Sequence, residues 1–162
     1  MSQNFANKTV LITGGASGLG YACAEAFLRA GANVAIADIS LEAVNLAAAE
    51  LAQQSGDVLA LQADVSQAEQ VEAMVNAVVA RWGRLDVAVN NAGISSPLEP
   101  VGQTKEADFD RVMGVNLKGV WLCMRAELQQ MAKQGSGAIV NTDSIAGLFG
   151  IPTSSAYVAS KH

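Results

Sequence analysis

Tyr157 and Lys161 stand four residues apart in the segment SAYVASK, so in a helix they are neighbours on one face. A free tyrosine hydroxyl titrates at about 10, too high for useful proton transfer near neutrality. A nearby ammonium favours the phenolate and lowers that value. Ser144, 13 positions before Tyr157, supplies a hydroxyl able to bind a substrate oxygen. Near the start, TVLITGGASGLG at 9–20 runs from an apolar stretch into a turn carrying Gly14, Gly18 and Gly20. Such glycines let the backbone approach a pyrophosphate, and the helix beginning around Ser17, Gly18, Leu19 and Gly20 offers that anion unpaired N–H groups. Asp38, 18 positions after Gly20, can accept hydrogen bonds from an adenosine ribose and would repel a 2′-phosphate. No Arg or Lys lies in the glycine turn or directly after Asp38, which favours NAD over NADP. A capping role for Asp38 is the alternative, weakened because Ser40 can serve as that cap. Taken alone, a Tyr-x-x-x-Lys pair is a surface coincidence, and the serine and the glycines are turn residues. In one chain, after a dinucleotide site, they make a donor and a tuned acid/base aimed at a carbonyl.

The elements that position these groups follow from hydrophobic periodicity. Val10–Ile12 reads as a buried strand. Leu19, Ala22, Cys23, Ala26, Phe27 and Ala30 form one face of a helix closed by Gly31. Val34–Ala37 is a second strand, ending at Asp38. Ser40 caps a helix with Leu41, Val44, Ala48 and Leu51 inward and Ser55-Gly56 at its end. Val58–Leu61 is a third strand. Ser66-Gln67-Ala68-Glu69 reads as a capping box, opening a helix with Val71, Met74, Val75, Val78, Val79 and Trp82 on one stripe. Leu85–Val89 is strand four, running into Asn90-Asn91-Ala92-Gly93. A helical region from about 104 to 133 carries Phe109, Val112, Met113, Leu117, Val120, Trp121, Met124 and Leu128 at helical spacing. After Gly135-Ser136-Gly137 comes a fifth strand, 138–142, and a last helix begins at Ser154. Continuous apolar strands alternating with helices predict an α/β fold of the Rossmann type. It is a doubly wound parallel sheet of order 3-2-1-4-5 in one domain. Ligands of such sheets bind beyond the C-terminal strand ends, where Gly14, Asp38, Asp64, Asn90 and Thr142–Ser144 all fall.

Composition excludes other classes. Half of the residues are apolar and the net charge is −5 with no basic cluster, so neither nucleic acid nor an anionic membrane is an expected partner. No apolar run approaches the roughly 20 residues of a membrane span, and the polar N-terminus MSQNFANK does not read as a signal peptide. Cys23 and Cys123 lie in apolar helical patterns without metal spacing; they read as buried free thiols, which fits a reducing cytoplasm. No metal site is expected. No Gly-Lys-Ser/Thr follows the glycines, which sets aside a P-loop nucleotidase.

The chain resembles the short-chain dehydrogenases/reductases over nearly all of its length. The resemblance rests on TGGASGLG at 13–20, Asp64-Val65, NNAG at 90–93, Asn116, Ser144 and YVASK at 157–161. The glycine spacing G-x-x-x-G-x-G, distinct from the commoner G-x-G-x-x-G, also points there. The resemblance implies that Tyr157 is the catalytic acid/base and that Ser144 positions and polarises the substrate oxygen. Lys161 would hold the nicotinamide ribose and lower the Tyr157 pKa. Asn116 would anchor a water in a proton relay, Asp64 and Val65 would flank the adenine, and Asn90, Ala92 and Gly93 would line the cofactor cleft. Asn116 could instead be a helix-packing polar residue, and Asn90-Asn91 a plain turn. The implied reaction is hydride transfer between NAD and a small secondary alcohol or ketone, with NAD use suggesting the oxidative direction. The alternative is a catalytically inactive dinucleotide-binding or assembly fragment. The resemblance further implies a homodimer or homotetramer packed through the 104–133 helix and the one begun at 154.

Two departures from the family pattern stand out. The chain ends one residue after Lys161, inside that helix, so the family's last strands and substrate loop are expected to be missing and strand five to be an exposed apolar edge, either as in a fragment of a longer enzyme or with a partner chain pairing on that edge. Asp143 stands where the family has a small residue before the serine. Facing the site, it would raise the Tyr157 pKa by like-charge coupling. Side-chain alternation on an extended segment instead turns it away from Ser144.

Overall fold

The computed structural model describes residues 5–53 and 57–162. The strands β1 (Thr9–Thr13), β2 (Asn33–Asp38), β3 (Val58–Gln62), β4 (Val87–Asn90) and β5 (Ala138–Asn141) form one parallel sheet in the order β3-β2-β1-β4-β5. This is the doubly wound arrangement expected from the alternating pattern. Strand four sits at 87–90, slightly later than the apolar run at 85–89 implies. The reason is local: Leu85 N–H is spent on Gln134 Oε1, at 3.1 Å, before the ladder begins.

The side chains of each strand divide between two cores, as period-two alternation requires. Val10, Ile12, Val34 and Ile36 pack under α1 (Gly18–Arg29) and α2 (Leu41–Ala52). Leu11, Ala35, Ala37 and Ala88 pack under α3 (Ala68–Trp82) and α5 (Val120–Gln134). The α3 stripe of Val71, Met74, Val75 and Val78 is buried as its spacing predicts.

Elsewhere the helices are rotated or capped differently from the pattern. In α1 the buried line is Gly20, Ala24 and Leu28, with Cys23 and Phe27 half-buried, while Leu19, Ala22 and Ala26 face solvent. Alanines lie on both sides of this helix, so hydrophobicity does not select a face; the close approach at Gly20 does. In α2, Leu41 is also exposed, at the mouth of the helix beside its Ser40 cap, whose Oγ accepts from Ala43 N–H at 3.2 Å. The end of that helix at Ser55-Gly56 lies outside the described residues. The capping box at 66–69 does not form. Asp64 organises the turn instead, its Oδ1 accepting from Ser66 N–H (2.9 Å) and Ser66 O–H (2.7 Å), so the serine hydroxyl is not left to cap α3. Cys23 is half-buried and Cys123 buried, and both are free.

The region 104–133 is a helix interrupted once: α4 (Glu106–Met113), a π-helical turn over Gly114–Gly119, then α5. Val112, Asn116, Gly119, Leu122, Cys123, Ala126, Glu127 and Met131 face inward. Leu117, Trp121 and Leu128, expected on the inner stripe, are about half exposed, and Phe109 is exposed too. The extra residue in the π turn shifts the helix face, so one straight 3.6-residue stripe cannot describe both halves. A Cβ on Gly119 would come within 2.8 Å of Val65 Cγ2, so this glycine lets the turn seat against the β3–α3 loop. The final helix, α6 (Ser155–Lys161), packs on α4.

Candidate active site

The glycine turn is built by contacts that leave no room for side chains. Gly14 has φ +62°, and a Cβ there would stand 3.0 Å from Ala92 Cα and from Asn91 Nδ2. Thr13 Oγ1 accepts from Asn91 N–H (3.0 Å) and Ala92 N–H (3.1 Å), while Asn91 Nδ2 donates to Thr13 O and Gly14 O, each at 3.2 Å. The NNAG segment after β4 is thus the clamp that shapes the first turn. At the start of α1, Ser17 is extended and makes no side-chain cap, and the space beside Gly18 (φ +55°) is open. This helix start can receive an anion.

Asp38, at the end of β2, is half-buried, and its Oδ1 and Oδ2 accept long bonds from Ser40 N–H (3.3 Å) and Ala16 N–H (3.4 Å). No cation pairs with it among the described residues. Gly14, Asp38, Asp64, Val65, Ala92 and Gly93 line a single cleft together with Ile39, Ile94 and Val115. Asp64 borders this cleft with its carboxylate tied to Ser66. A glycine cradle, an open helix start and an unpaired carboxylate some way along the strand ends are the donor set that a dinucleotide requires, so the residues present fit one.

The residues expected to move the proton lie beyond the end of β5. Lys161 Nζ donates to Thr142 O at 2.9 Å and lies 6.0 Å from the centre of the Tyr157 ring. Ser144, two residues beyond Thr142, accepts from Ala146 N–H at 3.2 Å. Asp143 is exposed, and its carboxylate lies against Gly147, where an added Cβ would come within 2.7 Å of Asp143 Oδ1. Asn116, in the π turn, is 3% exposed. Its Nδ2 donates to Ile94 O and Ser160 Oγ, both at 3.0 Å, and its Oδ1 accepts from Ile94 N–H at 2.9 Å. Both amide hydrogens are therefore committed to joining the cleft loop to α6.

Asn90 is held differently from the other residues of its motif. Its side chain, 2% exposed, turns to Glu127 Oε2 and Asn141 Oδ1, each at 3.0 Å, and does not line the cleft. Sequence reasoning missed the partners that hold the site: Thr13, Asn91 as a side chain, Glu127 and Ser160. An Asn repeated after a strand and a Glu in an apolar helix stripe were the available signals.

A doubly wound sheet with a glycine cradle after β1, a carboxylate ending β2 and a Tyr–Lys pair beyond β5 is the arrangement of a dinucleotide-binding fold. The sequence model of the short chain dehydrogenase family matches residues 8–162, and the chain belongs to that family. It is 43% identical over 163 residues to a levodione reductase of Leifsonia aquatica, covering 99% of this chain and 61% of that protein. It is 40% identical to a cyclohexanol dehydrogenase of an Acinetobacter species, covering 100% of this chain and 64% of the relative. Among solved structures, an NAD+-bound xylitol dehydrogenase matches at 34% identity with a TM-score of 0.92, over 97% of this chain and 60% of the other. A short chain dehydrogenase/reductase from Burkholderia phymatum in complex with NAD matches at 34% identity and a TM-score of 0.95, over 98% and 57%. The chain thus spans somewhat over three fifths of the length of the curated relatives it matches.

Proposed function

We propose that this chain is the cofactor-binding part, through Tyr157 and Lys161, of an oxidoreductase that moves hydride between NAD and a secondary alcohol or ketone. The observation that carries the reading is the approach of Lys161 to Tyr157 and to Thr142 O at the strand-end edge that also holds the glycine cradle. When bound, NAD supplies the hydride acceptor. In the oxidative direction Tyr157 takes the hydroxyl proton of the alcohol, and Ser144 orients and polarises the same oxygen. Lys161 stabilises negative charge on the phenolic oxygen and holds the nicotinamide ribose. Asn116 anchors the relay side of the site, its amide joining Ile94 to Ser160. Asp38 takes the adenosine ribose hydroxyls; Gly14, Ser17, Gly18, Leu19 and Gly20 take the pyrophosphate. Asp64 and Val65 flank the adenine, and Ala92 and Gly93 border the cleft.

The names of the levodione and cyclohexanol relatives support a small alcohol or ketone as substrate. The exposed apolar row of Phe109, Leu117, Trp121 and Leu128 supports a homodimer or homotetramer packed through α4 and α5. Among the described residues no helix is long and apolar enough to cross a membrane; with two free cysteines, this agrees with a cytoplasmic enzyme. The test is nicotinamide absorbance, in both directions, across a panel of secondary alcohols and ketones with the natural full-length protein. Reduction of NAD by at least one alcohol is the expected result. No absorbance change with any member of the panel would overturn the proposal.

A further inference from the structure

Glu127 is fully buried on the inner face of α5, where a carboxylate has no place unless it is paired. Its surroundings provide one donor. Asn90 Nδ2 donates to Glu127 Oε2 at 3.0 Å and, with its other hydrogen, to Asn141 Oδ1 at 3.0 Å. Those two acceptors fix which way round the Asn90 amide lies. That orientation leaves Asn90 Oδ1 buried without a donor, and Glu127 Oε1 is buried without one as well. Two acceptors cannot satisfy each other, whereas one proton shared between them satisfies both.

We propose that Glu127 is carried as the neutral carboxylic acid in the folded protein, its Oε1–H donated to Asn90 Oδ1, so that acid and amide close a reciprocal pair pinning the C-terminal end of β4 to α5. The consequence reaches the site through the backbone. Asn90 directly precedes Asn91, which clamps the glycine turn. Its bond to Asn141 fixes the end of β5 beside Thr142, whose carbonyl receives Lys161. Glu127 is thus a positioning residue for both halves of the site. This goes beyond the hydride-transfer reading and does not depend on turnover.

Groups that face Glu127 favour the neutral form. Cys123, one turn earlier on α5, is the titratable neighbour and cannot supply a positive charge. From β4 and β5 the facing side chains are the amides of Asn90 and Asn141, and Met124 accepts from Asn141 Nδ2. The charged pair linking α3 to α5, Glu72 with Arg125, lies at the surface. Burial pushes the Glu127 carboxyl up to about 7, against the opposing pull of the Asn90 bond.

The experiment is carbon-13 spectroscopy of glutamate side-chain carboxyls across pH, with urea unfolding of the wild type, Glu127→Gln and Glu127→Leu. One carboxyl carbon, missing from the Gln variant, is expected to stay in the acid form at pH 6 and to titrate near 7, apart from the exposed glutamates. Gln carries an N–H where the acid carries O–H, so Glu127→Gln should keep the fold and the dinucleotide affinity of the wild type. Leu fills similar volume but orphans the amide, so Glu127→Leu should be weaker in both. An acid retained when folded and lost when unfolded gives stability that is complete below the unfolded pKa and declines as pH rises through the folded one. The urea midpoint of the wild type should therefore fall between about pH 5 and 8 relative to Glu127→Gln. Every glutamate carbon being in the carboxylate form at pH 6 would overturn the proposal on the wild type alone, whatever the variants do. So would a Gln variant as damaged as the Leu one, or one that keeps the wild-type fall with pH.

Discussion

Replacing Gly20 by alanine tests whether the glycine turn and α1 touch as closely as the site requires. The added methyl would stand 2.8 Å from Asn91 Nδ2 and from Gly14 C, and nearer still to Gly14 O. None of these is the loose end of a flexible side chain. Gly14 O is held by the Asn91 amide, which is itself bound to Thr13 O. In an open helix, glycine to alanine gains about 1 kcal/mol of helix propensity. Here overpacking costs about 1–3 kcal/mol, and losing one of the Asn91 bonds costs about 1 kcal/mol more. The net loss is about 2 kcal/mol, which lowers the melting temperature of a domain of this size by about 4–8 °C. Because the displaced atoms are those of the cradle itself, NAD affinity should fall by at least about tenfold, the equivalent of about 1.4 kcal/mol. Scanning calorimetry and NAD titration measure both, with Gly102→Ala as control, since a Cβ there meets nothing within 4 Å. A Gly20→Ala protein matching the control in melting temperature and affinity would rule out a close contact between α1 and the glycine turn at Gly20.

Asp38→Asn removes the charge that would repel a 2′-phosphate and weakens the acceptor for the ribose; comparative titration should show NAD binding about tenfold weaker, with the preference over NADP reduced. Asp86, buried at the opposite end of the sheet from the cleft, accepts from Thr9 N–H (3.0 Å), Lys8 Nζ (3.2 Å) and Arg84 Nε (2.6 Å). Burial alone would raise its pKa, but those bonds together hold the carboxyl below the usual range. Its stabilisation is therefore present above the unfolded carboxylate pKa and lost as pH falls through the folded one. Asp86→Ala should cost about 2–3 kcal/mol in urea unfolding at pH 7 and flatten the acid limb of the stability profile, because the buried Thr9 N–H loses its partner.

Most of the architecture could be read from the chain because the central strands β1, β2 and β4, buried on both faces, are uninterrupted apolar runs. Their order followed from right-handed crossovers and the position of the glycine turn. What could not be read were choices that hydrophobicity does not make. Alanine on both sides of α1 left its face open until Gly20 met Gly14, so Leu19, Ala22 and Ala26 proved to be outside. Leu41 and the row Leu117, Trp121 and Leu128 are apolar yet exposed, and burial on the domain's own core is a one-way rule that such residues escape. Ser66 matched a cap by type, but Asp64 two residues earlier competes for its hydroxyl. Of the cleft residues, Gly14, Asp38 and Asp64 were recognisable because they fall at or just past strand ends, and Val65, Ala92 and Gly93 through the family motifs. Asn90 shares that position but turns into the core, since its partner Glu127 sits 37 residues away on α5, where no spacing rule connects the two.

The most direct test of the account is the rate of NAD-linked alcohol oxidation by Tyr157→Phe beside the wild type, in the natural full-length protein, with NAD binding measured on both. The phenylalanine ring keeps the packing near Lys161 and removes only the hydroxyl. Turnover is expected to fall by at least about a hundredfold, as for loss of an acid/base group, while NAD affinity stays within about twofold, a change of under about 0.5 kcal/mol. A Tyr157→Phe enzyme that turns over at the wild-type rate would contradict it.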